Sequence, residues 1–332
     1  MSGEFARDAV GSELDYDAVV VGGGPAGCSA AVFLAREGVD VAVFDRGRSS
    51  IARCAHLGNY LGFPGGIDVE TFYDLMHDHV VRAGADLVAD LVESVEPVEL
   101  VESVERRGDD DADETRFRVI PQEGDPVATR CVVAATRYDG EYLRGLDDDA
   151  AMFETHDHGG EVHEHFDREY AEPDGTTPVD GLYVATPSEA DRQAITAAGR
   201  GARVARKVVT DARIADGWWS AAAEDVDWVR REAEREAEWT DRERWVEWFD
   251  ERHADAPVDP DSERFARVRE AAIDEALSAY VDADEAQARA AEGRRALVGH
   301  LDPSAVVDAH GTEALLDAMD DEDVAAYAAG AR

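Results

Sequence analysis

Two stretches of this chain hold residues whose types and spacing could do chemistry. The first is Val21-Gly-Gly-Gly-Pro-Ala-Gly27, which follows the apolar run Ala18 to Val21 and precedes a small-residue helix and a second apolar run, Val41 to Phe44, ending at Asp45. Gly22 permits a tight turn out of a strand, Gly24 lets backbone amides approach a diphosphate, and Gly27 with Ala31 lets the helix lie close on a sheet. The helix N-terminus then turns N–H groups and the positive end of its dipole toward the phosphates. Asp45, at the tip of the second strand, is placed to accept a hydrogen bond from a ribose hydroxyl. Strand, turn, helix, strand and acid in this order predict a dinucleotide grip; a purely structural glycine turn is the alternative.

The second stretch is Glu154-Thr-His-Asp-His-Gly-Gly-Glu-Val-His-Glu-His165. Gly159-Gly160 between two alternating segments predicts a β-hairpin with a primed turn. In that register His158 opposes Glu161, His156 opposes His163 and Glu154 opposes His165, and all six share one face. Four imidazoles and two carboxylates so arranged suit zinc, iron or copper. A solvated polar face on a short flap is the other reading, and the sequence does not choose between them, so no metal is assigned. Cys54 and His56 add a thiol with an imidazole nearby, able to form a thiolate, against a packing role for Cys54 and a hydrogen-bonded surface role for His56. Cys28 and Cys131 read as packing residues, and three cysteines without a CxxC fit free thiols in a reducing compartment.

These residues sit in an acidic chain. Seventy-five acidic against 33 basic residues give a formal charge of −42, and Lys207 is the single lysine. Such self-repulsion weakens a compact state in dilute buffer, whereas at molar salt the Debye length falls to about 3 Å and the repulsion is screened. The composition therefore reads as halophilic adaptation to a salt-loaded cytoplasm, and it argues against nucleic acid and anionic membrane as partners. An acidic disordered chain is excluded by a hydrophobic content of 44% and clean periodicity. There is no signal peptide and no apolar run of about 18 residues to span a bilayer, so a cytoplasmic protein is expected.

The elements that must position the chemistry follow from periodicity. Residues 1–14 read as a loose tail. Residues 68–84 form an amphipathic helix with Val69, Phe72, Leu75, Met76 and Val80 on one stripe. Strand-like runs cover Ala85 to Val98, Arg116 to Ile120 and Val127 to Ala135, with an acidic turn at Gly108 to Glu114. After a short joint, Ala215-Asp216-Gly217, the composition turns helical. All six tryptophans lie between Trp218 and Trp248, and the capping box Thr240-Asp-Arg-Glu243 starts a helix carrying Trp245, Trp248 and Phe249 on one side. Further helices are expected over 261–281, 283–300, 303–309, 312–319 and 321–329. The tryptophan stripe reads as the core of this all-α appendage, with a homodimer surface or a lid on the first domain as alternatives.

Four blocks, taken together, resemble a known family. The glycine fingerprint, then Asn59-Tyr-Leu-Gly-Phe-Pro-Gly-Gly-Ile67 with a helix ending in Arg82-Ala-Gly-Ala, then Val132-Val-Ala-Ala-Thr136, then Gly181-Leu-Tyr-Val-Ala-Thr-Pro187 with Arg192-Gln-Ala-Ile-Thr-Ala-Ala-Gly199 occur in this order. The sequence resembles the FAD half of the thioredoxin reductase family, within the pyridine nucleotide-disulfide oxidoreductases, in a haloarchaeal form. The resemblance implies FAD as cofactor and an α/β fold: a Rossmann-like, three-layer ββα FAD-binding domain with a C-terminal all-α appendage. It assigns the pyrophosphate to Gly22, Gly24, Pro25, Ala26 and Gly27, and the adenosine ribose to Asp45 with Arg46 beside it. It sets Asn59 near the flavin and ribityl chain, and gives the adenine backbone contacts at Val92. It puts Gln193 and Ala194 at a helix N-terminus facing the flavin pyrimidine edge. Thr136 and Thr186 mark the two loops at the remaining side. Two departures stand out: Ala185-Thr186-Pro187 replaces an Ala-Gly-Asp, and Arg137 replaces a glycine.

The larger departure lies between Thr136 and Gly181, where the family inserts an NADPH domain with its redox cysteine pair. The interval is too short for a second doubly wound domain, since one βαβ unit needs roughly 30 residues. The expected organisation is thus an FAD-binding domain over 15–137 plus 178–213, a hairpin insert over 138–177 and a helical domain over 217–332. Ordinary thioredoxin reductase activity is not expected. The functional expectation is an FAD-dependent oxidoreductase fed by a diffusible donor, a small molecule or small redox protein such as a thiol, free nicotinamide or a ferredoxin. The alternative is a non-catalytic FAD-binding sensor or scaffold. No general acid or base stands out among so many carboxylates.

Overall fold

In the computed structural model the described residues are 14–47, 49–98, 116–137, 139–158, 161–167, 169–186 and 191–330. The expected tail, the turn Gly108 to Glu114, the Gly159-Gly160 turn and Pro187 lie outside them. The chain separates into two compact units, Met1–Asp282 and Ala283–Arg332.

The first unit is built on β1 (Tyr16–Val21), α1 (Pro25–Arg36), β2 (Val41–Phe44), α2 (Val69–Ala83) and β3 (Asp86–Val88), then β4 (Val92–Val98), β5 (Arg116–Pro121) and β6 (Val127–Ala134). Strand β1 pairs in parallel with both β2 and β6, and β2 with β3. Strand β9 (Leu182–Val184) completes the parallel core beside β6. Strands β4 and β5 continue from β6 as an antiparallel meander.

Burial follows the strand alternation. Ala18 and Val20 of β1 join α1 and α4 (Ala194–Ala215) in one core, with Ala30, Leu34, Val204 and Val208. Val19 and Val21 join the meander in another, with Val95, Phe117 and Val119. Because both faces of the parallel sheet are covered, its strands read as unbroken apolar runs. The result is the three-layer ββα arrangement, helices on one side and meander on the other.

Helix α2 starts where Asp68 accepts from Thr71 N–H at 2.8 Å and stops at Gly84, whose φ of 104° closes the C-terminus. Between β6 and β9 the described residues hold α3 (Asp149–Met152) and the hairpin β7 (Phe153–His158) and β8 (Glu161–Phe166). The hairpin pairs Glu154 with His165, His156 with His163 and His158 with Glu161, the register expected from the sequence.

Beyond α4 the unit adds α5 (Ser220–Ala223), α6 (Arg242–Arg252) and α7 (Glu263–Ser278), with β10 (Arg231–Glu232) parallel to β11 (Tyr280–Val281). The cap of α6 differs from expectation. Asp241 accepts from Glu243 N–H at 3.0 Å, while Thr240 donates to Ala237 O in the preceding turn. A carboxylate one residue later captures the orphan amide, and the helix starts there. The tryptophans also divide. Trp218 and Trp219 pack with Phe249, Phe265 and Val268, and Trp248 lies against them, but Trp228 meets Phe33 of α1 edge-on at 4.4 Å. Trp239 meets Trp245 at 5.0 Å, and Trp245 meets Trp248 edge-on at 5.2 Å, so these two adjoin the first group.

A buried arginine links the layers of this unit. Arg213 of α4 meets Glu37 at 3.1 Å and also Glu275 of α7. Burial and the neighbouring Glu275 push Glu37 up to about 7, against the pull of Arg213. In the second unit α8 (Ala283–Gly299), α9 (Pro303–His310), α10 (Thr312–Asp317) and α11 (Asp321–Ala328) lie where helical period predicts them. No described helix in the molecule is long and apolar enough to cross a membrane.

His253 ends α6 inside the tryptophan cluster and accepts at Nδ1 from Trp219 Nε1 at 3.1 Å. Burial, then Arg252, lower its pKa below the ordinary value, so the neutral ring is the folded form. The stability it contributes is therefore complete above about pH 6.5 and is lost as pH falls through the lower folded value. Thermal unfolding followed by tryptophan fluorescence should show this acid limb in the wild type. His253→Gln, which keeps an acceptor but does not titrate, should flatten it.

Candidate functional site

The glycine turn leaves β1 where Gly22 N–H donates to Phe44 O at 2.8 Å. Gly22 has φ 111°, and a Cβ there would meet Ala135 O at 2.8 Å. A Cβ on Gly27 would stand 1.8 Å from Gly22 O, so only glycine lets α1 rise so tightly from the turn. Gly24 occupies the N-cap in extended conformation, Pro25 opens the helix, and no side chain caps it. The first-turn amides, those of Ala26 and Gly27 among them, thus keep the arrangement a diphosphate fits.

Asp45 is buried beside this turn, and three groups of the chain hold it. Gly47 N–H donates to Oδ1 at 3.1 Å, Tyr73 Oη donates to Oδ2, and His77 Nε2 stands 3.3 Å from Oδ2. His77 Nε2 is also 3.2 Å from Gly23 O. Since both neighbours are acceptors, that nitrogen carries the proton. Burial works against the Asp45 charge, but the bonds from His77, Tyr73 and Gly47 outweigh it and hold the carboxyl below its ordinary value. Burial likewise opposes charge on His77, and Asp45 with the Gly23 carbonyl raises its pKa nonetheless. Tyr73 is pushed up by burial and by Asp45. Of four acceptor positions on the carboxylate, these three groups take one on Oδ1 and two on Oδ2.

At the other side, Asn59 Nδ2 donates to Gln193 Oε1 at 2.9 Å. This bond joins the loop after β2 to the N-terminus of α4, whose cap, Gln193, makes no side-chain capping bond. Ala194 packs on the cluster of Ile51, Leu57, Ile67 and Phe72 that folds this loop. Helices α1 and α4 touch backbone to backbone, since a Cβ on Gly201 would meet Ala26 O at 2.0 Å. The two uncapped N-termini thereby belong to one packed pair.

The remaining site residues fall in the connecting loops. Thr136 Oγ1 donates to Asp139 O and lies 3.0 Å from Tyr142 Oη. Thr186 is buried, accepts from Arg137 N–H at 3.2 Å and donates to Ala134 O at 3.4 Å. It ties the loop after β6 to the loop after β9. Arg46 reaches Asp139 at 3.3 Å on the surface. Val92 opens β4 with its side chain in the core that also holds Val21 and Phe44. Cys28 is buried, donates to Gly23 O at 3.2 Å and is pushed up to about 12 by burial, then by Asp45. Cys131, buried in β6, is likewise pushed up by burial to about 12. Cys54 is exposed, and the His56 ring packs against Gly66.

Tyr73 and His77 are the site residues that sequence reasoning missed. Their signal is their spacing, four apart on α2, which brings their rings together at 4.3 Å, tilted by 59°, beside the apolar stripe.

Fold and turn together define a Rossmann-like α/β domain. Residues 20–81 match the NAD(P)-binding Rossmann-like domain family. Among solved structures, the thioredoxin reductase of Gloeobacter violaceus is similar at 16% identity, over 65% of this chain and 98% of that chain, with a TM-score of 0.45. The thioredoxin reductase of T. acidophilum is similar at 17% identity, over 60% of this chain and 100% of that chain, with a TM-score of 0.43. HlmI is similar at 17% identity, over 60% and 93%, with a TM-score of 0.45. None of the curated proteins compared with the chain matches it.

Two substitutions test this geometry. Arg137 alone among the described non-glycine residues has a left-handed backbone, φ 68°, at the position where the family resemblance expects glycine. Arg137→Gly should raise stability in chemical denaturation by about 1 kcal/mol, because the left-handed conformation penalises a Cβ. Tyr73→Phe should cost about 1.5–3 kcal/mol at neutral pH, the worth of a hydrogen bond to a charged group. The stability that Asp45 contributes is present above its ordinary pKa and is lost as pH falls through the depressed folded value. The difference between Tyr73→Phe and wild type should therefore shrink in acid.

Proposed function

We propose that this protein binds FAD and acts as an oxidoreductase related to thioredoxin reductases, its electrons supplied by a diffusible donor. The observation that carries the reading is the bond from Asn59 to Gln193, which brings the loop after β2 and the open N-terminus of α4 together. A simple mononucleotide turn does not need that second helix. Support comes also from the close fit around the glycines, where a Cβ on Gly24 would meet Ser49 Oγ at 2.7 Å and one on Gly27 would meet backbone.

In this reading the amides of α1 bind the diphosphate, and Asp45 accepts from the ribose through its remaining Oδ1 position. Asn59 and Gln193 orient the flavin end, and the positive end of α4 favours negative charge there. Bound FAD supplies two-electron redox chemistry. The hairpin of β7 and β8 occupies the interval where related enzymes carry an NADPH domain. The donor is then a separate small molecule or small redox protein, which loses the two electrons that the acceptor gains.

Protein purified in molar salt and titrated with FAD should show saturable uptake with a change in flavin fluorescence. The visible flavin band should bleach with reductant and recover in air. Asp45→Ala should weaken uptake about tenfold, the loss of one charge-assisted hydrogen bond. A folded sample that takes up no FAD overturns the reading, and uptake without reduction overturns its redox half.

A further inference from the structure

The loop between β2 and α2 departs from the rest of the chain in charge. Residues 46–67 hold Arg46, Arg48 and Arg53 and no acid at all, although acids make up 75 of the 332 residues. Burial does not explain the difference, because Ala52 to His56 and Leu61 are exposed. In a chain of charge −42, an exposed stretch that keeps positive charge and excludes negative charge is matched to an anion.

The start of this loop comes back over the glycine turn. A Cβ on Gly23 would meet Asp45 Cβ at 2.6 Å, and one on Gly24 would meet Ser49 Oγ at 2.7 Å. The second contact bears on ligand binding, because the missing Cβ of that glycine is what lets a diphosphate approach the backbone. Ser49 Oγ therefore lies in the space through which a diphosphate comes in. Its hydroxyl is not used locally. Ser49 is the N-cap of the short turn Ser50–Arg53, yet its side chain makes no capping bond there. Its backbone, by contrast, is held, since Ser49 N–H donates to Tyr73 Oη, which donates in turn to Asp45 Oδ2. One tyrosine hydroxyl thus fixes both the buried carboxylate and the residue that covers Gly24.

We propose that Ser49 is a phosphate ligand, its Oγ donating to a diphosphate oxygen of the bound nucleotide alongside the amides of α1. The inference rests on the FAD reading and extends it, because the family resemblance draws the diphosphate's partners from the glycine turn alone. A hydroxyl suits this place. It gives a charge-assisted hydrogen bond to a phosphate oxygen without bringing a second ion that must itself be desolvated. The arginines of the loop supply the favourable field, and Ser49 supplies the contact.

The test uses the full chain in molar salt, with FAD uptake followed by flavin fluorescence and ADP uptake by its displacement of FAD. Ser49→Ala keeps the backbone bond to Tyr73 and should weaken both ligands about tenfold, the loss of one hydrogen bond to a charged group. Ser49→Thr, which keeps the hydroxyl, should bind both as the wild type does. Ser50→Ala, at the exposed neighbouring position, should also leave both unchanged. The phosphorus resonances of bound ADP should move in Ser49→Ala and stay in place in Ser50→Ala, a signature that a purely structural role does not produce. Thermal melting by circular dichroism checks that each variant is folded. Unchanged affinity in Ser49→Ala, or an equal loss in Ser50→Ala, overturns this inference while wild-type uptake of FAD leaves the cofactor reading standing. A folded wild type that takes up neither ligand overturns both.

Discussion

Backbone meets backbone at three glycines around α1, and the rest of the site depends on that contact. Gly27 sits against Gly22 O, Gly22 against Ala135 O, and Gly201 against Ala26 O. With no side chain at these points, α1 rises directly out of β1 and lies flush on α4. Two helix N-termini come into one packed pair as a result, and a region of unpaired amides forms at the carboxyl ends of parallel strands, where open α/β sheets hold ligands. Any Cβ at Gly27 would push α1 off the sheet, and the Leu34 and Val204 core beneath would open with it.

Charge is handled in two ways in the same fold. At the surface, acid is abundant and its worth depends on screening salt. Inside, two buried charges have specific partners. Asp45 takes donors from Gly47, Tyr73 and His77, and Arg213 takes Glu37 and Glu275. A buried ion deprived of its partner is strongly destabilising, whereas a complete set is tolerated. Two of the three partners of Asp45 come from α2, so that helix also helps keep this buried carboxyl ionised. Arg213 does a comparable job further away, fastening α7 to the end of α1.

Much of this was readable from local pattern. The turn, α1, α2 and the five later helices follow from period and caps, and the hairpin register follows from Gly159-Gly160 and alternation. The α6 cap was misread by one residue, because Thr240 and Asp241 are both good caps and only the path of the preceding turn decides between them. The tryptophans looked like one stripe because they cluster in sequence. Five of them do adjoin one another, but Trp228 lies in the irregular stretch that runs back across α1 to Phe33.

The sequence alone determined what depends on neighbours along the chain: where strands and helices begin, which faces are apolar, and that a glycine turn precedes an acid. Hydrogen-bond geometry and steric freedom set these within a few residues. Tertiary structure decided what depends on residues far apart meeting in space. The bond of Asn59 to Gln193, the grip of Tyr73 and His77 on Asp45, and the Thr186 link between two loops span from 28 to 134 positions of chain. No local period encodes such pairs, because their partners are fixed by how the layers pack rather than by the spacing of residues within any one element.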